Sequence, residues 1–172
     1  MEGPRALMEA QAAQREVERL ESQATATLTY TLEIGAFVET IFDCLDLAEK
    51  QPQWLSGLER TDFPDGRPKG EQAGTRFTQL VRQKGGLAEY EGVILVHQRP
   101  RRLCVRVGNR HFTALVDYRL HSLGKGSSLS FTARLVFHTL VGRMTGTLYA
   151  GSSRKIAIEQ LVALKQFAEA GG

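Results

Sequence analysis

The chain has 172 residues, 42% of them hydrophobic, with a net charge of +3 and only two cysteines. That is enough apolar material for one packed domain, and it excludes a disulfide scaffold, a collagen-like repeat and a wholly disordered chain. The longest unbroken aliphatic run, Val93-Ile94-Leu95-Val96, falls far short of the ~20 residues of a membrane-spanning helix.

No basic segment followed by an apolar one opens the chain at Met1-Glu2-Gly3-Pro4, so a cytoplasmic protein without a secretory leader is expected. Cys44 and Cys104 stand alone, with no CxxC pair and no histidine at ligand spacing. They read as small apolar packers in a reducing compartment. So sparse a donor set leads to the expectation of no metal site and no cofactor.

Residues 5–23 are rich in Ala, Glu, Gln, Arg and Leu and lack Gly and Pro, the composition of a helix. Its apolar positions, Leu7, Met8, Val17 and Leu20, are too sparse for a sustained coiled-coil seam. Residues 1–24 therefore read as a peripheral helical extension, with self-association into a homodimer as the alternative. The domain proper is expected over 25–172.

Alternation begins at once after the extension. From Thr25 to Ile34 every even position is apolar or aromatic and every odd one is Thr or Glu, the pattern of a half-buried antiparallel strand. Phe37, Val38, Ile41, Phe42 and Leu45 then recur at helical spacing. A second short helical turn is expected over 47–55, interrupted by Pro52, and 62–74 reads as a loop from its Pro, Asp and Gly content. Strands follow near 75–84, 87–98, 102–108, 110–121 and 127–138. The turns at Lys84-Gly85-Gly86, Arg99-Pro100-Arg101, Gly108-Asn109 and Gly124-Lys125-Gly126 are short, which implies sequential antiparallel pairing. From Leu140 to Ala170 the period becomes helical, with Leu140, Val141, Met144, Leu148, Ile158 and Val162 on one stripe. A kink is expected near Gly151-Ser152-Ser153.

Three local features accompany this order of elements: Trp54 after the paired short helices, Gly74-Thr75-Arg76-Phe77 opening a strand, and Glu91-Gly92-Val93 followed by Arg99-Pro100-Arg101-Arg102-Leu103. Together they resemble the START-like (SRPBCC) superfamily, the helix-grip proteins that include polyketide cyclases and dehydratases and pollen-allergen-like lipid binders. The likeness spans roughly residues 25–170. It implies an α+β helix-grip fold, in which a curved antiparallel six- to seven-stranded sheet wraps a long C-terminal helix, two short helices follow the first strand, and an apolar cavity lies between sheet and helix.

On each strand the more apolar parity is taken to face that cavity. This supplies as ligand-binding candidates Tyr30 on the first strand, Phe77 and Gln79 on the second, Tyr90 and Ile94 on the third, and Val105 on the fourth. Phe112, Val116 and Tyr118 follow from the fifth, and Phe131 and Leu135 from the sixth. The long helix adds Met144, Leu148 and Lys155, and the resemblance adds Trp54. Lys155 either anchors an anionic head group or is turned to solvent by the kink before it. The opposite parity carries Arg76, Arg82, Glu89, Glu91, Arg106, Asp117, Arg119 and Arg134, a mixed-sign face that reads as solvated ion pairs. No specific nucleic-acid partner is expected there, and transient contact with a membrane surface is the other reading. His97, His111, His121 and His138 fall on the outward parity or at strand ends, and no strand Asp or Glu points inward. Neither an imidazole general base nor a carboxylate pair is therefore expected inside.

The leading expectation is a protein that binds an apolar small molecule such as a lipid, isoprenoid or polyketide in an internal cavity. The first alternative, carried by the resemblance, is a polyketide cyclase-like enzyme working through Tyr30, Tyr90, Tyr118 or Gln79. The second is a protein- or membrane-interaction module with a filled core.

Overall fold

A computed structural model describes residues 3–172, apart from the side chains of 144–152. The alternating segment forms β1 (Ala26–Ile34), with Leu28, Tyr30 and Leu32 half-buried and the intervening Thr and Glu residues exposed. The chain then crosses to the far edge of the sheet through α2 (Val38–Asp46) and a short 3-10 turn (Gln51–Gln53). There it lays down β2 (Leu58–Asp62), β3 (Arg76–Gln83), β4 (Gly86–Gln98), β5 (Arg102–Gly108), β6 (Phe112–Ser122) and β7 (Ser127–Phe137) in sequential antiparallel order. β7 returns to pair with β1, giving one seven-stranded sheet in the order β1-β7-β6-β5-β4-β3-β2. Helix α3 (Leu140–Glu169) follows, with Thr139 capping its start by accepting a hydrogen bond from the Gly142 amide at 3.0 Å.

The crossing from β1 to β2 explains where α2 sits. The segment joining the two edges of the sheet crosses the same side as α3, and α2 does so at one end. There Ile41, Phe42 and Leu45 pack with Ile34, Trp54, Leu103, Leu120 and Leu129 and with Leu161, Leu164 and Ala168 of α3. The same end is pinned by polar contacts from α3 to the β1 terminus. Glu169 accepts from the Gly35 amide at 2.8 Å, and the Lys165 ammonium donates to the Glu33 carbonyl at 2.9 Å.

The buried stripe of α3 differs from the expected one. Leu140 and Val141 are 73% and 64% exposed, and Val162 is also exposed, whereas Leu161, Leu164 and Ala168 are buried. The true stripe lies about a third of a turn round the helix at 3.6 residues per turn. Only the C-terminal half of α3 is held by the packed end, so its first-turn apolar residues do not share that burial. Phe37, expected on the apolar face of α2, precedes the helix as its N-cap and is exposed.

Helix α1 (Pro4–Gln23) lies across the convex side of the sheet. Ala13, Val17 and Leu20, spaced four and three apart, bury themselves against Leu95, Cys104, Leu115 and Val136. Ion pairs flank this contact, Arg106 to Glu16 at 2.7 Å and Arg134 to Glu21 at 3.4 Å. A stripe too sparse for a coiled coil is sufficient to cover one sheet face. The outer face is accordingly part core and part ion-pair surface, and Asp117 is only 5% exposed beneath Arg102 and Arg119.

Strand β2 was not expected. Leu58-Glu59-Arg60-Thr61-Asp62 has no alternation, because this short edge strand buries only Leu58.

Candidate functional site

The inner face of the sheet is a grid of cross-strand rows. Phe77 faces Gly92, then Val107, Ala114, Leu135 and Ala26. The next row runs Ile94, Val105, Val116, Ala133, Leu28, and the one after it His97, Leu103, Tyr118, Phe131, Tyr30. β-Branched and aromatic residues in rows of this kind support both the sheet and the wall of whatever it encloses.

Two hollows lie between this wall and α3. The larger has a volume of about 600 Å³ and is bounded by Ala26, Leu28, Phe112, Phe131, Ala133, Leu135 and Phe137 of the sheet and by Val141 and Ala157 of α3. Its few polar neighbours include Asn109, His111 and Arg154. Val141 lines it while largely exposed, so this cavity opens to the surface beside the first turn of α3. At that rim His111 accepts from Arg110 Nε at its Nε2, 3.1 Å away, which leaves Nδ1 to donate to the Thr139 hydroxyl at 3.1 Å.

The smaller hollow, about 220 Å³, lies on the α2 side. Trp54, Phe77, Gln79, Ile94, Val105, Val116, Tyr118 and Phe131 line it, together with Asp46, Gln51, Thr61 and Gln160. Phe131 belongs to both hollows, and Ala157 and Gln160, one turn apart on α3, face one each. The Tyr118 hydroxyl makes no hydrogen bond to any described residue, and burial pushes its pKa well above the ordinary phenol value. Gln79 donates from Nε2 to the Thr61 hydroxyl at 3.4 Å; Thr61 in turn donates to Gln51 Oε1 at 2.6 Å. The Trp54 indole donates to the Cys44 carbonyl at 2.8 Å, which fixes its ring as part of the wall.

Of the candidates read from the sequence, Phe112 and Leu135 therefore sit at the larger hollow, Phe131 at both, and Trp54, Phe77, Gln79, Ile94, Val105, Val116 and Tyr118 at the smaller. Three do not join them. Tyr30 is half-buried within the packed core, and Tyr90 stacks near Phe112 at 5.8 Å while its hydroxyl accepts from Gln83. Lys155 has a 78% exposed side chain and pairs with Glu159 at 3.9 Å, so it anchors nothing inside; its position is off the buried stripe of α3. Met144 and Leu148 lie outside the described residues.

His97 corrects the expectation that every histidine faces outward. β4 slips register between Ile94 and Val96, and the extra residue turns Leu95 and Val96 toward α1 and His97 inward opposite Leu103. The imidazole rests edge-on against Phe42, with ring centroids 5.2 Å apart, and its Nε2 lies 3.0 Å from Asp46 Oδ2. Arg67, from the β2–β3 connection, bonds the other carboxylate oxygen and the Asp46 carbonyl, and stacks over the Phe63 ring. Burial opposes the Asp46 charge, but hydrogen bonds from His97 and Arg67 outweigh it, and the carboxyl stays below its ordinary pKa. This cluster fastens the 63–74 segment to the end of α2. His97 Nε2 is engaged by Asp46, and His97 lines neither hollow.

The seven-stranded sheet, the crossing α2 and the gripped C-terminal helix form a helix-grip fold of the START-like kind. No family model and no curated protein matches the chain significantly in sequence. Solved structures do match in fold. A START superfamily protein from Mycobacterium smegmatis superposes with a TM-score of 0.62 at 18% identity, covering 84% of this chain and 94% of that one. An uncharacterized protein from Rhizobium leguminosarum gives 0.63 at 19% identity, covering 84% and 95%. The di-domain ARO/CYC protein StfQ of the steffimycin biosynthetic pathway gives 0.66 at 14% identity, covering 94% of this chain and 57% of StfQ. At these identities the likeness is one of fold. No helix of the described residues is long and apolar enough to cross a membrane.

Proposed function

We propose that this chain binds a hydrophobic small molecule in the cavity between its sheet and α3, as a binding or carrier protein. The observation that carries the reading is the cavity of about 600 Å³, walled by Phe, Leu, Val and Ala side chains and open beside Val141. A hollow of that volume falls within the range of small-molecule sites, and leaving apolar walls of this kind in contact with water is unfavourable relative to covering them with an apolar ligand. The helix-grip fold shared with a START superfamily protein supports the same reading.

Titration with the neutral fluorophore N-phenylnaphthylamine tests it. Saturable fluorescence enhancement with a rise in Tm is the expected result, and Leu135→Glu, which places a carboxylate in the wall, should abolish both. A linear, non-saturating signal with an unchanged Tm would leave the cavity without a ligand role.

A cyclase-like enzyme has one feature in its favour, the likeness to StfQ. Of the four residues that reading relies on, Tyr118 and Gln79 reach a cavity, while Tyr30 and Tyr90 do not line one. Turnover lost in Tyr118→Phe with binding retained would support it.

A further inference from the structure

We infer that the smaller hollow receives the neutral, oxygen-bearing end of an amphipathic ligand, a hydroxyl or carbonyl, while the apolar body lies in the larger one. The inference rests on the cavity-binding reading and adds the chemistry of the ligand and its orientation.

The polar groups of the two hollows differ in kind. In the smaller one the hydroxyl of half-buried Tyr118, without a partner among the described residues, is free to donate into the hollow; Gln79 keeps its carbonyl oxygen free and Gln160 makes no side-chain hydrogen bond to a described residue. All three are uncharged. The one charged wall residue, Asp46, is already paired with the Arg67 guanidinium and hydrogen-bonded by His97. A ligand carboxylate or phosphate brought there would meet no free cation, and an unpaired buried charge is strongly disfavoured. An unused hydroxyl and amides facing the hollow suit the opposite partner, since a ligand that fills it shuts them off from water and a ligand oxygen within reach keeps them hydrogen-bonded. Phe131, shared by the two hollows, sets where the polar end gives way to the apolar body.

Four probes of one chain length separate the outcomes: dodecane, dodecanol, methyl dodecanoate and the dodecanoate anion, each competed against N-phenylnaphthylamine at pH 8. Dodecanol and methyl dodecanoate should bind about tenfold or more tightly than dodecanoate, reflecting the cost of an unpaired buried charge. Tyr118→Phe should weaken the alcohol and the ester by about two- to tenfold, the worth of one hydrogen bond, and leave dodecane unchanged. Gln160→Leu is the second variant and should show the same selective loss. Each variant is first checked for a wild-type Tm, which the loss of an unbonded hydroxyl should not lower. Dodecanoate binding as tightly as dodecanol, or equal affinity for the alcohol in wild type and both variants, overturns the inference while leaving cavity binding intact. If the fluorophore binds saturably but none of the four displaces it, this inference alone fails; if the fluorophore itself does not bind saturably, the cavity-binding reading fails and this inference with it.

Discussion

Phe77 and Gly92 face each other across β3 and β4, and the Phe77 ring occupies the space that a β-carbon on Gly92 would need. The glycine lets an aromatic side chain lie flat against the sheet and serve as wall for the smaller hollow, where it also meets Phe63 at 6.5 Å. Gly92→Ala must therefore lift that ring into the hollow. We expect a loss of about 1–3 kcal/mol in urea denaturation, as for other overpacked sites, together with weaker binding of N-phenylnaphthylamine. Unchanged stability and binding would show that the ring has room elsewhere.

The Arg67–Asp46–His97 cluster makes a second prediction. Arg67→Ala leaves a mostly buried carboxylate with only the His97 hydrogen bond, at a cost of about 2–4 kcal/mol in urea denaturation. Adding Asp46→Asn removes the orphaned charge and should recover part of that loss. Equal stability of the single and double variants would mean that Arg67 acts through its contact with Phe63 and not through the carboxylate.

Helix α1 belongs to the folded unit energetically. Leu20 is fully buried against the convex sheet face, so Leu20→Ala should cost about 2–4 kcal/mol, the range for deleting a core leucine. Removal of residues 1–24 would expose Leu95, Leu115 and Val136 together, and light scattering should report aggregation. A truncated chain that remains monomeric with unchanged Tm would contradict this packing.

Acid should loosen the same contact. Hydrogen bonds from Arg19 hold the Glu16 carboxyl near a pKa of about 2, against 4.5 ordinarily, with Arg106 adding to the effect and partial burial opposing it. A lowered folded-state pKa stabilises fully above the unfolded value and is lost as pH falls through the folded one. The contribution is therefore complete above about pH 5, mostly lost by about pH 2 and gone near pH 1, and after solvent screening it amounts to about 1 kcal/mol. Asp46, also lowered, adds a loss of the same sign. Stability measured from pH 6 to pH 2 should fall, and Glu16→Gln should flatten the curve.

What could be read from the chain, and what could not, divides along physical lines. Where one sheet face is buried and no residue is inserted, period-two alternation suffices, as in β1, β6 and β7, and the inner rows containing Val116, Tyr118 and Phe131 follow directly. His97 was misplaced because a single inserted residue at Leu95 reverses parity, and nothing local in Val93-Ile94-Leu95-Val96 marks it. The docking of α1 did leave a trace: Leu95, Cys104, Leu115 and Val136 are apolar yet lie on the outer side, where a solvated face would have polar residues. β2 left none, since an edge strand that buries one leucine carries no period. The α3 stripe differs from the expected one because helical spacing alone does not say which half of a long helix is gripped, and Lys155 takes the solvent-facing alternative.

The most direct measurement is native mass spectrometry of the freshly purified chain, followed by denaturing extraction and identification of whatever was bound. The account predicts a stoichiometric adduct that is released on unfolding and extracts as a neutral molecule with an apolar body and an oxygen-bearing end. A clean mass for the bare chain, with no rise in Tm on addition of dodecanol or N-phenylnaphthylamine, would contradict it.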